Sequence, residues 1–439
     1  MADLVAWAER FIATPSESRL GNAAIADAAS ELLAELGLDG EVESAHAGGA
    51  THFAVLCDAG AAGEDGVLLV THLDTVPPGD AAAWTATGGD PFRPTREGDR
   101  LYGLGSADAK VDFVCKAVAL AAERESLVRP VRLVGTFGEE IGMLGARWLV
   151  ETGLTKGSTR ALVGEPSQLA VVHAHKGYAV YEARVRLERL DGARLWSARE
   201  EVRGAAAHSS DPALGKNAVL GALELLERTQ APGIGALAGG GALNVVPDRC
   251  EIELAVRDSS GARAAGPVWS AAPLLRFLTA WRELQAGAAR RSDSRFSPAH
   301  SVASLGRVAL DGDCALFGCD VRPIPGDDAA ALVAPLARAA ELRAVRANPA
   351  LATAADAPLV RELQAAQRAA GLAPRVETKA TCTEAGLLAA AGLEAVVLGP
   401  GRSIGNVHKP NEHTSLAQLH QAVSLYRAAL ARLAGRGPA

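Results

Sequence analysis

The chain has 439 residues, 49% of them hydrophobic and 22% charged, with a formal net charge of −7. That length allows a large core and more than one domain, and net acidity without a dense Lys/Arg block argues against nucleic-acid or anionic-membrane partners. No apolar run reaches the roughly 20 residues that span a bilayer, the first ten residues carry acids in a helical period rather than a secretory leader, and six scattered cysteines without a C-x-x-C pair point to reduced thiols in the cytoplasm.

Apolar periodicity predicts a surface helix over residues 22–36 and a short strand over 54–57. Residues 66–70, Gly-Val-Leu-Leu-Val, read as a buried strand that delivers Thr71-His72-Leu73-Asp74. His72 and Asp74 are two apart, so an extended backbone turns them to one side. A helix is predicted over 110–124, with Asp108 in the loop entering it. The run 131–137 delivers Glu139-Glu140, and 161–163 delivers Gly164-Glu165-Pro166. Alternating helices and strands predict an α/β fold, a mixed sheet flanked by helices.

The texture changes near His175. Residues 178–187, 249–256 and 314–321 alternate as half-exposed antiparallel strands do, and 217–229 reads as a helix. This predicts a separate α+β domain over 177–325, inserted into a catalytic domain built from 1–176 and 326–439. Residues 262–295 are rich in Ala and Arg and read either as a helical insertion or as a surface segment. Helices are predicted over 329–346 and 359–370. A buried strand over 395–398 then leads through Gly399-Pro400-Gly401 to His408.

Ligands of open α/β sheets bind beyond the carboxyl ends of the strands. Imidazoles and carboxylates gathered there read as a metal-dependent hydrolytic site. A catalytic zinc site takes His nitrogens and carboxylate oxygens, paired metals share a bridging carboxylate, and a further carboxylate must accept the proton of the attacking water. His72, Glu140, Glu165 and His408 can supply terminal ligands and Asp108 the bridge. Of Glu139 and Glu140, one can bind metal while the other serves as base. Taken singly, each motif has a bland reading. His72 and Asp74 could be a surface pair, and Glu139-Glu140 a helix start favoured by the dipole. Glu165 could simply end a strand, and His208 could be a surface histidine. His173 and His175 are read as structural, and Cys314 and Cys319 as buried thiols. The ordered set outweighs these readings.

Val70 to Pro77, Trp84, Asp90-Pro91-Phe92, Gly98 to Asp108, Gly138 to Gly142, Gly164 to Ser167, and Gly399 through His408-Lys409-Pro410-Asn411-Glu412 resemble, in order and over nearly the whole chain, the M20 family of co-catalytic zinc peptidases and deacylases. The resemblance implies a zinc-peptidase-like catalytic domain with an inserted lid that often forms a homodimer interface. It implies two Zn2+ ions, with Co2+ or Mn2+ as other occupants. His72 and Glu165 would hold one, Glu140 and His408 the other, and Asp108 would lie between them. Asp74 would orient the His72 imidazole, and Glu139 would be the general base and later the acid. Residues 204–218 are similar to the lid histidine segment of acetylornithine deacetylases, which implies that His208 stabilises the oxyanion.

Three departures stand out. Ala109-Lys110-Val111 follows Asp108 where the family has Met or Thr, Lys and Gly, after a peptide that is often cis. Asn244-Val245-Val246-Pro247 leads to Val256-Arg257-Asp258, whereas the Asp320-Val321-Arg322 pattern comes much later, so Arg322 or Arg257 could hold a substrate carboxylate, and Asn244 is a further substrate-binding candidate. His413 stands where relatives often have Tyr. The activity implied is hydrolysis of a small N-acyl amino acid, N-acetylornithine or a relative in arginine or lysine biosynthesis. Succinyl-diaminopimelate or a dipeptide is the rival substrate. A non-catalytic binding protein is the rival class, disfavoured by a full ligand set beside a separate Glu139.

Overall fold

The apolar runs become neighbours in one sheet in the computed structural model, which describes residues 3–191, 195–257, 262–263 and 266–436. The sheet has nine strands. Along it lie Gly40–Ala47, Ala50–Ala59, Val131–Thr136, Gly66–His72, Ser158–Gly164, Glu394–Val397, Val171–His175 and Leu351–Ala352, with Val376–Lys379 beside Val171–His175. Val131–Thr136, Gly66–His72, Ser158–Gly164 and Glu394–Val397 run parallel. Their carboxyl ends therefore open on one edge.

These strands read as continuous apolar runs because both faces of the sheet are covered. Val67, Leu69, Leu133, Leu162 and Val396 point into a core shared with helices Leu4–Ala13, Ala23–Glu35, Lys110–Glu123, Pro358–Ala369 and Leu416–Leu433. Leu68, Val70, Val134, Val163 and Val397 point to the other face, against Leu149, Ala385 and Leu388. Burying each such side chain contributes roughly 1.5–3 kcal/mol, more than the ~1 kcal/mol span of strand propensity. Burial on both faces thus decides where these strands form. A small sheet of Thr95–Glu97, Arg100–Tyr102 and His413–Ser415 places His413 opposite Tyr102.

The chain divides into two units. One comprises Met1–Ala174, Leu351–Thr378 and Thr383–Ala439, and the other His175–Ala350 with Lys379–Cys382. Among the described residues the second unit is a ten-stranded sheet carrying helices Ala218–Thr229 and Ala272–Ala288 on a core that includes Leu223, Leu274, Phe277, Trp281 and Phe317. The ambiguous 262–295 stretch is thus largely a core helix, and its residues 264–265 lie outside the described residues, as does Asp258.

One predicted helix is corrected. Residues 329–346 form only the short helix Ala329–Val333 and a 3-10 turn, and Glu341–Asn348 is a strand paired with Tyr178–Arg186. Pro335 lies in the 3-10 turn, where a proline ring cannot continue the α-helical bonding. That strand carries the second unit past residue 325 to Ala350. Among the described residues no helix is long and apolar enough to cross a membrane.

Candidate metal centre

The parallel strands lead towards titratable side chains. Gly66–His72 ends on His72 itself, Ser158–Gly164 is followed by Glu165, and Val131–Thr136 by Glu139-Glu140. The connection after Glu394–Val397 brings His408 to the same edge. There His72 Nε2 lies 3.1 Å from Asp108 Oδ1 and 3.9 Å from Glu165 Oε1. His408 Nε2 lies 3.2 Å from Asp108 Oδ2 and 3.0 Å from Glu140 Oε1. The two imidazoles thus face opposite oxygens of one carboxylate. His72–Asp108–Glu165 and Asp108–Glu140–His408 form two triads whose donor atoms lie within 4.8 Å of one another. His72, Asp108 and Glu165 are buried, whereas the His408 side chain is 49% exposed.

Glycine is required at two approaches. A Cβ on Gly164 would lie 1.9 Å from Asp112 Oδ2, and one on Gly399 would lie 2.6 Å from the Glu165 carbonyl oxygen. The Asp108–Ala109 peptide is cis.

The Asp74 carboxylate accepts hydrogen bonds from Ser18 Oγ at 2.5 Å and from the Glu139 and Glu140 amides at 3.1 and 3.3 Å. It therefore secures the turn that presents both glutamates. Its Oδ1 stands 3.6 Å from His72 Nδ1, whose nearer partner is the Asp74 main-chain oxygen at 3.0 Å. Asp74, the residue expected to orient His72, thus faces the imidazole with both its main-chain oxygen and its carboxylate, and the carboxylate also holds the two amides.

Acids outnumber bases here. Burial, reinforced by Glu140 and Glu165, raises the Glu139 carboxyl well above the usual carboxylate range, and burial also raises Glu140. Burial works against a charged His408, yet its bonds to Asp108 and Glu140 push its pKa up to about 11. Burial likewise opposes ionisation of Asp108, but the two imidazoles hold it far below its ordinary value. Such a cluster is matched to cations. Nitrogen and oxygen donors in two triads sharing one carboxylate are a donor set that could hold metal.

Two acids that motif reading did not assign complete the setting. Glu412 Oε1 accepts the Ala107 and Asp108 amides at 2.8 and 3.1 Å, and burial raises its pKa to about 8. Glu384 accepts from Thr136 Oγ1 at 2.9 Å, and burial raises it to about 7. Glu412 closes the motif that begins at His408. Glu384 follows the helix-capping Thr383 and so reads as an ordinary helix start.

The remaining predicted residues belong to the second unit. His208 Nδ1 meets Ser210 Oγ at 2.7 Å, and the Ser209 amide donates to the Asn244 carbonyl oxygen at 3.0 Å. Arg322 is buried, and its Nε and Nη2 bond Asp320 at 2.9 and 3.1 Å while its guanidinium stacks 3.7 Å over Tyr178. Arg257 is exposed. In the first unit, His173 Nδ1 bonds the Thr353 carbonyl oxygen at 2.7 Å, in keeping with its structural reading.

Residues 68–432 match the family model described as Peptidase family M20/M25/M40. The chain belongs to this family. It is a hydrolase of the M20 class, with the class's mixed α/β fold and a group of residues able to hold metal. This M20 protein is 30% identical over 393 residues to an acetylornithine deacetylase from Myxococcus xanthus, covering 85% of this chain and 81% of that one. With an acetylornithine deacetylase from Salmonella arizonae it shares 35% identity over 216 residues, 48% and 50% of the two chains. Similar solved structures include the aminoacylhistidine dipeptidase from Vibrio alginolyticus, with TM-score 0.69 and 18% identity over 97% and 96% of the two chains. The metallo-carboxypeptidase Sso-CP2 from Sulfolobus solfataricus gives 0.64 and 16% over 98% and 99%. At these identities the solved structures speak for the fold.

Proposed function

We propose that this M20 hydrolase cleaves the amide bond of an N-acyl amino acid, N-acetylornithine or a close relative in arginine or lysine biosynthesis, at a centre of two Zn2+ ions. The two triads meeting at Asp108 carry the reading of the centre, and the similarity to a deacetylase over 85% of this chain supports the substrate class. His72 and Glu165 would hold one ion, Glu140 and His408 the other, and Asp108 would bridge them. When bound, the ions supply Lewis acidity to the acyl carbonyl and lower the pKa of the attacking water. Glu139 takes the proton of that water and returns it to the departing amine. His208 donates to the oxyanion of the tetrahedral intermediate. Arg322 or Arg257 holds the substrate carboxylate. With Nε and Nη2 committed to Asp320, Arg322 would offer Nη1. The second unit serves as lid and homodimer interface, and the enzyme works in the cytoplasm.

The deciding experiment is amine release from N-acetylornithine before chelation, after it, and after adding back zinc, cobalt or manganese. Loss on chelation and recovery with metal is expected. Activity on dipeptides or succinyl-diaminopimelate with none on N-acetylornithine would move the substrate assignment, and activity indifferent to chelation would remove the metal centre. His208→Ala is expected to lower kcat by roughly 10²–10³-fold, the loss seen when one oxyanion donor is removed, with metal content unchanged. An unaltered kcat would exclude His208 from the reaction.

A further inference from the structure

Behind the metal centre, where the parallel strands end, sits a buried polar cluster that the proposed chemistry does not use. Lys116, on helix Lys110–Glu123, is fully buried. Its Nζ donates to the Val70 carbonyl oxygen at 2.7 Å, Thr71 Oγ1 at 2.9 Å and the Leu162 carbonyl oxygen at 3.3 Å, and pairs with Asp112 at 2.8 Å. Asp112 Oδ2 also accepts from Thr71 Oγ1 at 2.8 Å, and its Oδ1 accepts from the Tyr426 hydroxyl at 2.5 Å. The same hydroxyl is 2.7 Å from the Leu398 carbonyl oxygen. Three side chains from two helices thereby grip three adjacent strands.

The contacts fall at chosen points. Val70 and Thr71 immediately precede His72. Leu162 is three residues before Glu165, and Asp112 lies so close to Gly164 that any side chain there would collide with it. Leu398 is followed by Gly399, which packs on the Glu165 backbone. The strand that precedes Glu140 has no bond to this cluster, and His408 lies ten residues beyond Leu398. A buried charge pair is a poor source of stability relative to apolar packing. Rigid hydrogen bonding behind metal ligands, by contrast, raises metal affinity.

We infer that Lys116, Asp112 and Tyr426 are positioning residues for one half of the centre, fixing His72 and Glu165 at the spacing that holds their ion. The inference rests on the metal reading given above. Its test is Co2+ titration, followed by visible absorption, in two backgrounds. His408→Ala leaves the His72–Glu165 half, and His72→Ala leaves the Glu140–His408 half. Tyr426→Phe, and independently the near-isosteric Asp112→Asn, are expected to weaken Co2+ binding by roughly 10-fold in the first background, the low end of the effect of groups bonded directly to metal ligands, because these act through the backbone, and to leave it unchanged in the second. Equal weakening in both backgrounds would mean ordinary destabilisation and overturn the inference, as would no change in either. Absence of Co2+ binding by the unmodified protein would instead bring down the metal reading on which it stands.

Discussion

Glu139→Ala is expected to lower kcat by roughly 10³–10⁴-fold, the upper part of the range for general acid–base groups, while the protein keeps its metal. Glu139 sits among the carboxylates of the site but belongs to neither donor triad. Its amide is bonded by Asp74 in the same turn that presents Glu140. On the proposed roles, removing its side chain would delete a proton carrier without deleting a ligand. Metal analysis alongside steady-state kinetics checks this. Turnover near the unmodified level would take Glu139 out of its role, and loss of metal would recast it as a ligand.

Asp108→Ala is expected to strip both ions. Among the described residues Asp108 alone belongs to both triads, with one oxygen facing His72 and the other His408. Residues that merely support ligands cost roughly 10–100-fold in metal affinity when replaced, and that range is the floor for a shared ligand. Metal content after dialysis and calorimetric titration should show both binding steps weakened. His72→Ala or His408→Ala should weaken one step much more than the other. If Asp108→Ala retained one ion at full affinity, the bridging assignment would fail.

Much of this centre was legible because its residues follow strands buried on both faces. Val67 to Val70 and Ala161 to Val163 are uninterrupted apolar runs, and a polar residue at the end of such a run has to face a crevice. What escaped reading did so for physical reasons. Asp112 and Lys116 are four apart on a helix, a spacing that ordinarily marks a solvated ion pair, and only the packed sheet shows them sealed inside. Glu384 carries the pattern of a capped helix start. The Glu341–Asn348 strand follows an Ala-rich segment whose helical preference runs straight into it, and its pairing with Tyr178–Arg186 overrode that preference. In residues 262–295, abundant Ala obscured the spacing of Leu274, Phe277, Trp281 and Leu284, which buries a helix in the second unit.

The position of Glu394–Val397 bears on biosynthesis. This strand lies between Ser158–Gly164 and Val171–His175 in the sheet, yet the ribosome makes it more than 200 residues after either. Until it emerges, the flanking strands expose unpaired backbone edges of the kind that recruit other chains. The whole of His175–Ala350 leaves the exit tunnel in that interval and can fold first. The first unit can therefore complete its sheet only once residues 394–397 have been made.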